Sequence, residues 1–289
     1  MAGAANSPNQ AKKVTVPDVM ARKGGVPLTM VTAYDTPSAS VASEAGADMI
    51  LVGDSVANVV LGHSDTLAVD IDVMVHHTAA VARAQPRSLV VGDMPWMSYH
   101  TTTEQAIQNA SRLIREGGAE SVKLEGGRKR VPVIEAILGA EIPVMGHVGL
   151  TPQSVHAMGG YRVQGKAADA ARSLISDAKS LEDAGVFSIV LEGVPDLLGK
   201  LITKEVSVPT IGIGAGPHTD GQVLVFHDVL GLGTGRLPKF VRQYAHLRET
   251  AVEALESFFA DVQAGAFPEE AESYHMSEEA ASSLLSELG

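Results

Sequence analysis

The sequence contains no cysteine and few aromatic residues, which make up 4% of its 289 residues. Without thiols, the chain cannot form disulfides, catalyse reactions through a thiolate or bind zinc or iron–sulfur clusters through cysteine. The low aromatic content argues against a stacking surface for single-stranded nucleic acid. Basic residues are also scarce, because 22 Lys and Arg face 34 Asp and Glu. The resulting net charge of −12 disfavours both nucleic acid and anionic membranes as partners.

Long hydrophobic runs are also missing from the sequence. No stretch approaches the roughly eighteen apolar residues that a membrane-spanning helix needs, and residues 1–14 lack the apolar core of a signal peptide. The sequence therefore predicts a soluble, cytoplasmic protein. Hydrophobic residues still make up 45% of the chain, which is enough for a large core.

Short, largely apolar runs alternate with helical patterns from about residue 28 to about residue 260. Strands are predicted at 28–34, 49–52, 89–91, 122–124, 144–147, 187–191, 209–213 and 223–226, and helices at 37–45, 72–85, 102–118, 131–138, 167–184 and 195–206. About eight strand–helix units in a chain of this length predict an α/β fold of the (β/α)8, or TIM barrel, type. A doubly wound open sheet is the alternative, because periodicity alone does not separate the two.

The chain shows no linker that would divide the barrel. We predict a flexible N-terminal arm over residues 1–12, a single barrel domain over residues 13–267 and an acidic C-terminal tail over residues 268–289. A capping box at residues 101–104 is expected to begin the helix at 102–118, and a long helical pattern covers residues 237–265. For the tail two alternatives stay open: a short helix, or a cover over the barrel or a neighbouring subunit.

Charged and polar residues stand at the ends of five consecutive predicted strands. They are Asp54, Asp93, Lys123 with Glu125, His147, and Glu192. Functional groups of a TIM barrel gather where its strands end, so these side chains are expected to meet. One aspartate at a strand end is often only a helix cap. Four acids and a lysine on consecutive strands are harder to explain in that way, because burying them without a ligand costs several kcal/mol.

The predicted cluster offers oxygen ligands and no thiols. Carboxylates from neighbouring strands can together bind one hard divalent cation. The sequence therefore predicts Mg²⁺, with Mn²⁺ as the alternative.

Five longer stretches resemble one enzyme family. They are residues 30–35 (MVTAYD), 51–60 (LVGDSVANVV), 122–127 (VKLEGG), 142–163 (IPVMGHVGLTPQSVHAMGGYRV) and 208–227 (VPTIGIGAGPHTDGQVLVFH). All closely resemble ketopantoate hydroxymethyltransferases, which act in pantothenate and coenzyme A biosynthesis. The resemblance covers roughly residues 12 to 267 and leaves out the arm and the acidic tail.

The resemblance implies a barrel of the phosphoenolpyruvate/pyruvate-binding type, assembled as a homodecamer. It also implies Mg²⁺, 3-methyl-2-oxobutanoate as substrate and 5,10-methylenetetrahydrofolate as one-carbon donor, with an enolate on the way to 2-dehydropantoate. Carried over by position, the metal ligands are Asp54, Asp93 and Glu125, and the substrate contacts are Asp54, Ser55, Asp93 and Lys123. Glu192 is the proton acceptor and His147 an active-site neighbour without a settled role. Ser55 follows from the resemblance alone.

Two other functions stay open on the sequence. A Mg²⁺-dependent C–C lyase of the isocitrate-lyase type also holds a 2-oxo acid in such a barrel, although those lyases rely on a cysteine that this chain lacks. A non-catalytic, ligand-binding barrel is the other alternative. The intact set of charged residues argues against it.

Overall fold

A computed structural model describes residues 12–235 and 237–289. The predicted arm lies outside these residues, apart from Lys12. Over the described part of the chain, eight parallel strands pair in sequence order and close into a barrel. They are β1 Leu28–Thr32, β2 Met49–Val52, β3 Leu89–Asp93, β4 Ser121–Lys123, β5 Val144–Gly149, β6 Ser188–Glu192, β7 Thr210–Ile213 and β8 Gly221–Leu224.

The barrel closes between its first and last strands. Met30 of β1 pairs with Val223 of β8, which confirms the predicted barrel and rules out the open sheet. Strand β8 begins at Gly221, two residues before its predicted start. A Cβ atom at Gly221 would stand 2.6 Å from the backbone oxygen of Leu28. Glycine thus lets β8 approach β1, at a position that a search for apolar runs passes over.

Helices surround the barrel and follow most of its strands. In the described residues they are α1 Val16–Met20, α2 Thr36–Glu44, α3 Val56–Val59, α4 Ile71–Ala82, α5 Thr103–Arg115, α6 Val131–Gly139, α7 Val155–Met158, α8 Ala168–Asp183, α9 Asp196–Glu205, α10 Phe226–Leu230, α11 Leu247–Ala264 and α12 Glu278–Leu288. Short 3₁₀ helices lie at Thr66–Ala68, Arg128–Arg130, Pro152–Ser154 and Glu270–Glu272. The six predicted helices are present, whereas the short helices α1, α3, α7 and α10 were not predicted. None of the helices described is long and apolar enough to cross a membrane, and the cytoplasmic location stays a prediction.

Two helix boundaries differ from the prediction. The cap of α5 is Thr102, one residue later than expected, because its hydroxyl accepts the N–H of Gln105 at 3.1 Å. The long helix predicted over residues 237–265 was wrong in its first third, since α11 begins only at Leu247. In the segment before α11, the N–H of Tyr244 donates to the carbonyl of Val229 in α10 at 2.8 Å instead of to a helical turn.

The strands bury apolar side chains on both faces, as their continuous apolar runs predict. Inward-facing residues fill the barrel, and Val19 of α1 belongs to this inner cluster. Just before α1, the N–H of Val14 donates to the carbonyl of Arg87, at the start of β3. Helix α1 therefore covers the N-terminal ends of the strands. The opposite end of the barrel is left for polar side chains.

Candidate active site

The predicted residues meet at the C-terminal end of the barrel. Residues two apart on a strand share a face, so Asp93 continues the inward-facing row of Leu89 and Val91 in β3. The same alternation turns His147 of β5 and Glu192 of β6 inward. Asp54 and Glu125 follow the ends of β2 and β4, and both are buried. The structure thus brings together all the strand-end residues that the sequence singled out, although it does not test their roles.

A buried ion pair lies at the centre of the cluster. The register between β3 and β4 places Asp93 opposite Lys123. Their side chains are only 1% and 4% exposed, and Lys123 Nζ lies 2.9 Å from Asp93 Oδ1. The other carboxylate oxygen, Oδ2, accepts the backbone N–H of Asp54 at 3.1 Å. Asp93 therefore links the ends of three neighbouring strands.

His147 connects this pair to the acids on either side. Its Nδ1 atom lies 3.4 Å from Lys123 Nζ and 3.5 Å from Glu125 Oε1. Its Nε2 atom lies 3.3 Å from Glu192 Oε2. Burial, followed by the positive charge of Lys123, lowers the pKa of His147, which favours a neutral imidazole at neutral pH. A neutral ring carries one N–H, and so it can donate to only one of its neighbours at a time.

Negative charge exceeds positive charge in this buried cluster. Burial and the nearby carboxylate of Asp93 raise the pKa of Asp54 to about 7. Burial and Asp54 raise the pKa of Glu125 well above its usual value. Burial alone would lower the pKa of Lys123, but the carboxylates of Asp93, Glu125 and Asp54 outweigh it and raise the pKa. One lysine thus faces three carboxylates, an arrangement that an added cation would stabilise.

The donor set fits Mg²⁺ better than a metal that needs a closed protein cage. Among residues 12–235 and 237–289, no three His, Asp or Glu side chains are already gathered tightly enough to hold a metal ion. Mg²⁺ does not require this, because it keeps several waters and is held by one or two carboxylates together with substrate oxygens. Asp93 Oδ1 is buried and accepts no well-aligned hydrogen bond. Asp54, Asp93 and Glu125 remain the predicted ligands.

Gln153 is a central residue of the site that the sequence analysis missed. Its side-chain Nε2 donates to Asp54 Oδ2 at 2.9 Å and to the carbonyl of Met94 at 3.0 Å. Its backbone N–H donates to Glu125 Oε2 at 3.1 Å. Its Oε1 accepts the hydroxyl of Tyr99 at 2.6 Å. Gln153 therefore fixes two of the three predicted metal ligands at once.

Gln153 lies in the loop after β5, four positions beyond the end of the strand. The barrel pattern points only to residues at or directly after strand ends, so it does not indicate Gln153. Tyr99 lies in the loop after β3, and no motif or periodic pattern in the sequence indicates it. Ser55, which came from the resemblance, is held by the hydroxyl of Tyr34 at 2.8 Å.

Gly149 determines how closely β5 approaches Glu192. Its φ angle is +102°, and a Cβ atom there would lie 2.2 Å from the backbone oxygen of Glu192. That same oxygen accepts the N–H of Leu150 at 2.7 Å. A side chain at residue 149 would therefore push Glu192 away from His147.

Comparison with known proteins shows the family of the chain. A sequence profile described as ketopantoate hydroxymethyltransferase matches residues 13–270. The chain belongs to the ketopantoate hydroxymethyltransferase family. Relatives named 3-methyl-2-oxobutanoate hydroxymethyltransferase include one from Syntrophomonas wolfei, 55% identical over 252 residues, which are 87% of this chain and 91% of the relative. Another, from Geobacillus kaustophilus, is 54% identical over 258 residues, or 89% and 92% of the two chains. Members of this family are transferases by name.

Solved structures of low sequence identity share the fold of this family member. A phosphonopyruvate hydrolase aligns with a TM-score of 0.58 at 13% identity, over 96% of each chain. A 2,3-dimethylmalate lyase, named as a member of the PEP mutase/isocitrate lyase superfamily, aligns with a TM-score of 0.56 at 15% identity, over 96% of this chain and 99% of the lyase. These similarities confirm the predicted (β/α)8 barrel fold.

Proposed function

We propose that the protein transfers a hydroxymethyl group from 5,10-methylenetetrahydrofolate to 3-methyl-2-oxobutanoate, with Mg²⁺ held by Asp54, Asp93 and Glu125. The product is 2-dehydropantoate. Membership of the family supports the reaction, and the cluster at the barrel end supports the site. The observation that carries the proposal is the position of Glu192, which lies on the other side of His147 from the Lys123–Asp93 pair. Glu192, as a carboxylate base, and Lys123, as a buried cation, lie on opposite sides of the His147 ring.

The chemical task is to remove a proton from C3 of the 2-oxo acid, next to the ketone. When bound, Mg²⁺ would withdraw electrons from the carboxylate and keto oxygens of the substrate. Lys123 supplies a fixed positive charge near those oxygens, and Ser55 donates to the substrate carboxylate. Lys123 stabilises the transition state more than the ground state, because negative charge builds up on the keto oxygen as C3 loses its proton. Ser55 holds the substrate in place.

Glu192 is suited to accept that proton. Its side chain is 16% exposed, whereas that of His147 beside it is 2% exposed, so Glu192 is the more accessible of the two. Its Oε2 atom lies 3.3 Å from His147 Nε2. Water adds to the methylene carbon of the donor and its two C–N bonds break, which releases formaldehyde and tetrahydrofolate. The C3–H bond breaks as its proton moves to Glu192, C3 then bonds to the carbon of formaldehyde, and the new alkoxide oxygen takes up a proton, which Glu192 can return.

Hydrogen exchange tests the proposed first step without the folate. We expect the C3–H proton NMR signal of 3-methyl-2-oxobutanoate to disappear in D₂O with enzyme and Mg²⁺, and to persist when EDTA is added. If enolisation waits for the donor site to be filled, adding tetrahydrofolate restores exchange. A C3–H signal that persists both with and without tetrahydrofolate would contradict the proposal. Cleavage of the 2-oxo acid in the same spectra would instead favour the lyase alternative.

We further infer that the protein is a homo-oligomer, for which the resemblance implies ten subunits. Helix α11 has no buried residue, and one turn of it exposes the large side chains of Leu255, Phe258 and Phe259. Apolar patches of this kind mark contacts between proteins. An apolar groove of about 280 Å³ also lies between α2 and α10, on the outer face of β1. A second copy of the chain could cover both surfaces.

Light scattering coupled to size-exclusion chromatography tests this inference. We expect light scattering to give the eluted protein a molar mass that is a multiple of its 30.1 kDa subunit mass. Phe258→Asp should shift it toward smaller species, because the charge would be buried in the interface. Ser257→Asp, one position along the same exposed helix, serves as the matched control. A monomeric unmodified protein would contradict the inference.

A further inference from the structure

A cavity of about 380 Å³ adjoins the carboxylate cluster without belonging to the 2-oxo acid site. It lies between the loop after β4 and the first turns of α8. Its buried end is formed by Glu125 and Gln153, and its open end by Lys129 and Ala170. Of the residues predicted to act on the 2-oxo acid or its metal, only Glu125 lines it. The volume lies within the range of small-molecule sites, so the cavity has room for a second ligand.

The open end of the cavity carries positive charge. Residues 128–130, Arg-Lys-Arg, are the only run of three basic residues in a chain with a net charge of −12. Arg128 is neutralised by Asp177, with 2.8 Å between Nε and Oδ1. Lys129 and Arg130 instead line the cavity, and Lys129 is exposed there. The local charge thus suits an anion, against the overall charge of the protein.

Two buried nitrogen atoms of the cavity residues have no hydrogen-bond partner. They are Nε of Arg130 and Nδ1 of His100. The guanidinium of Arg130 lies over the ring of Tyr99, 5.3 Å from its centre. The rings of Tyr99 and His100 lie 4.2 Å apart. Buried polar atoms without partners are rare, so these two nitrogen atoms can bond to a ligand in the cavity.

We propose that this cavity binds the one-carbon donor, with its carboxylate tail on Lys129 and Arg130 and its reacting end toward Glu125 and Gln153. This proposal rests on the proposed function, which needs a second substrate beside the 2-oxo acid. Tetrahydrofolate carries hydrogen-bonding groups on its ring system and an anionic glutamate tail, which match the two unpartnered nitrogen atoms and the basic mouth. Its reacting end would lie beside Glu125, whose Oε1 is 3.5 Å from His147 Nδ1 and thus adjoins the predicted 2-oxo acid site.

Charge reversal at the mouth tests the predicted position of the tail. We expect Lys129→Glu to weaken tetrahydrofolate binding by about fivefold in isothermal titration calorimetry, since it replaces an exposed attraction by a repulsion. The matched control is Lys200→Glu, which makes the same charge change on the exposed surface of α9, away from the cavity. Binding of 3-methyl-2-oxobutanoate should stay unchanged in both variants. Equal tetrahydrofolate affinity in the two variants would overturn the position of the tail.

Filling the cavity tests its occupant independently of charge. Ala170 lines the cavity near the start of α8, whereas Ala168, two positions earlier, does not. We expect Ala170→Trp to weaken tetrahydrofolate binding at least about tenfold by steric exclusion, and Ala168→Trp to leave it unchanged. If Ala170→Trp weakens the 2-oxo acid instead, or neither ligand, the cavity is not the donor site.

The two proposals can fail separately. Without C3–H exchange in the unmodified protein under any condition, the proposed function fails. If the unmodified protein exchanges C3–H but Ala170→Trp binds tetrahydrofolate as tightly as the unmodified protein does, the proposed function stands and the cavity assignment is overturned.

Discussion

Replacing Glu192 by glutamine is expected to slow exchange of the C3 hydrogen about 10²–10⁴-fold, the usual contribution of a general base. Glutamine keeps the size of the side chain and can still contact His147 Nε2, which lies 3.3 Å from the carboxylate. It cannot accept the substrate proton. Mg²⁺ affinity, measured by calorimetry, should stay close to that of the unmodified protein, because Glu192 is not a predicted ligand.

The control for this variant is Glu135→Gln, which changes the same functional group on the exposed surface of α6. It should exchange the C3 hydrogen at the unmodified rate. Exchange at that rate in Glu192→Gln would show that another group accepts the proton. Loss of Mg²⁺ binding in Glu192→Gln would show instead that Glu192 supports the metal site.

Replacing Lys123 by methionine is expected to lower the free energy of unfolding by about 3–5 kcal/mol, the usual cost of removing one partner of a buried ion pair. Methionine fills a similar volume but leaves Asp93, Asp54 and Glu125 without their buried cation. Urea unfolding at pH 8 measures the loss. Lys179→Met serves as the control, because Lys179 pairs with Glu205 on the surface and both side chains are nearly half exposed.

The loss in Lys123→Met should depend on pH in a definite direction. The pKa of Asp54 is raised from 3.8 to about 7 by burial and by Asp93. A carboxyl with a raised pKa binds its proton more tightly in the folded chain. It therefore stabilises the fold below about pH 4, and this contribution is lost as the pH rises through about 7. As the pH is lowered from 8 to 5, Lys123→Met should therefore recover part of the free energy of unfolding that it lost. Equal urea midpoints for Lys123→Met and the unmodified protein at pH 8 would contradict the charge balance described for the site.

The strands could be predicted from the sequence because strands covered on both faces leave continuous apolar runs. The run at residues 49–52 matches β2 in full, and the other predicted strands lie within two residues of the observed starts. The start of α11 could not be predicted in this way, because an apolar pattern does not reveal that Tyr244 bonds to α10. Tertiary hydrogen bonds override local periodicity there.

The residues at the strand ends could be predicted because closure of a barrel brings those ends together. Asp93 and Lys123 are 30 positions apart in the sequence, yet they lie directly opposite in the register between β3 and β4. Gln153 and Tyr99 could not be predicted, because they lie in loops. The course of a loop toward the site leaves no periodic pattern in the sequence. The roles of the strand-end residues, the metal and the boundaries of the arm and tail stay predictions.

Helix α1 closes one end of the barrel to ligands. Since α1 covers the N-terminal ends of the strands, ligands reach the cluster through the opposite mouth. The Lys123–Asp93 pair is buried there, with both side chains at most 4% exposed, and the cavity lined by Glu125 lies at the same end of the barrel. Under the proposed function, both substrates and both products would share this one entrance, so that one ligand can slow the entry or release of another.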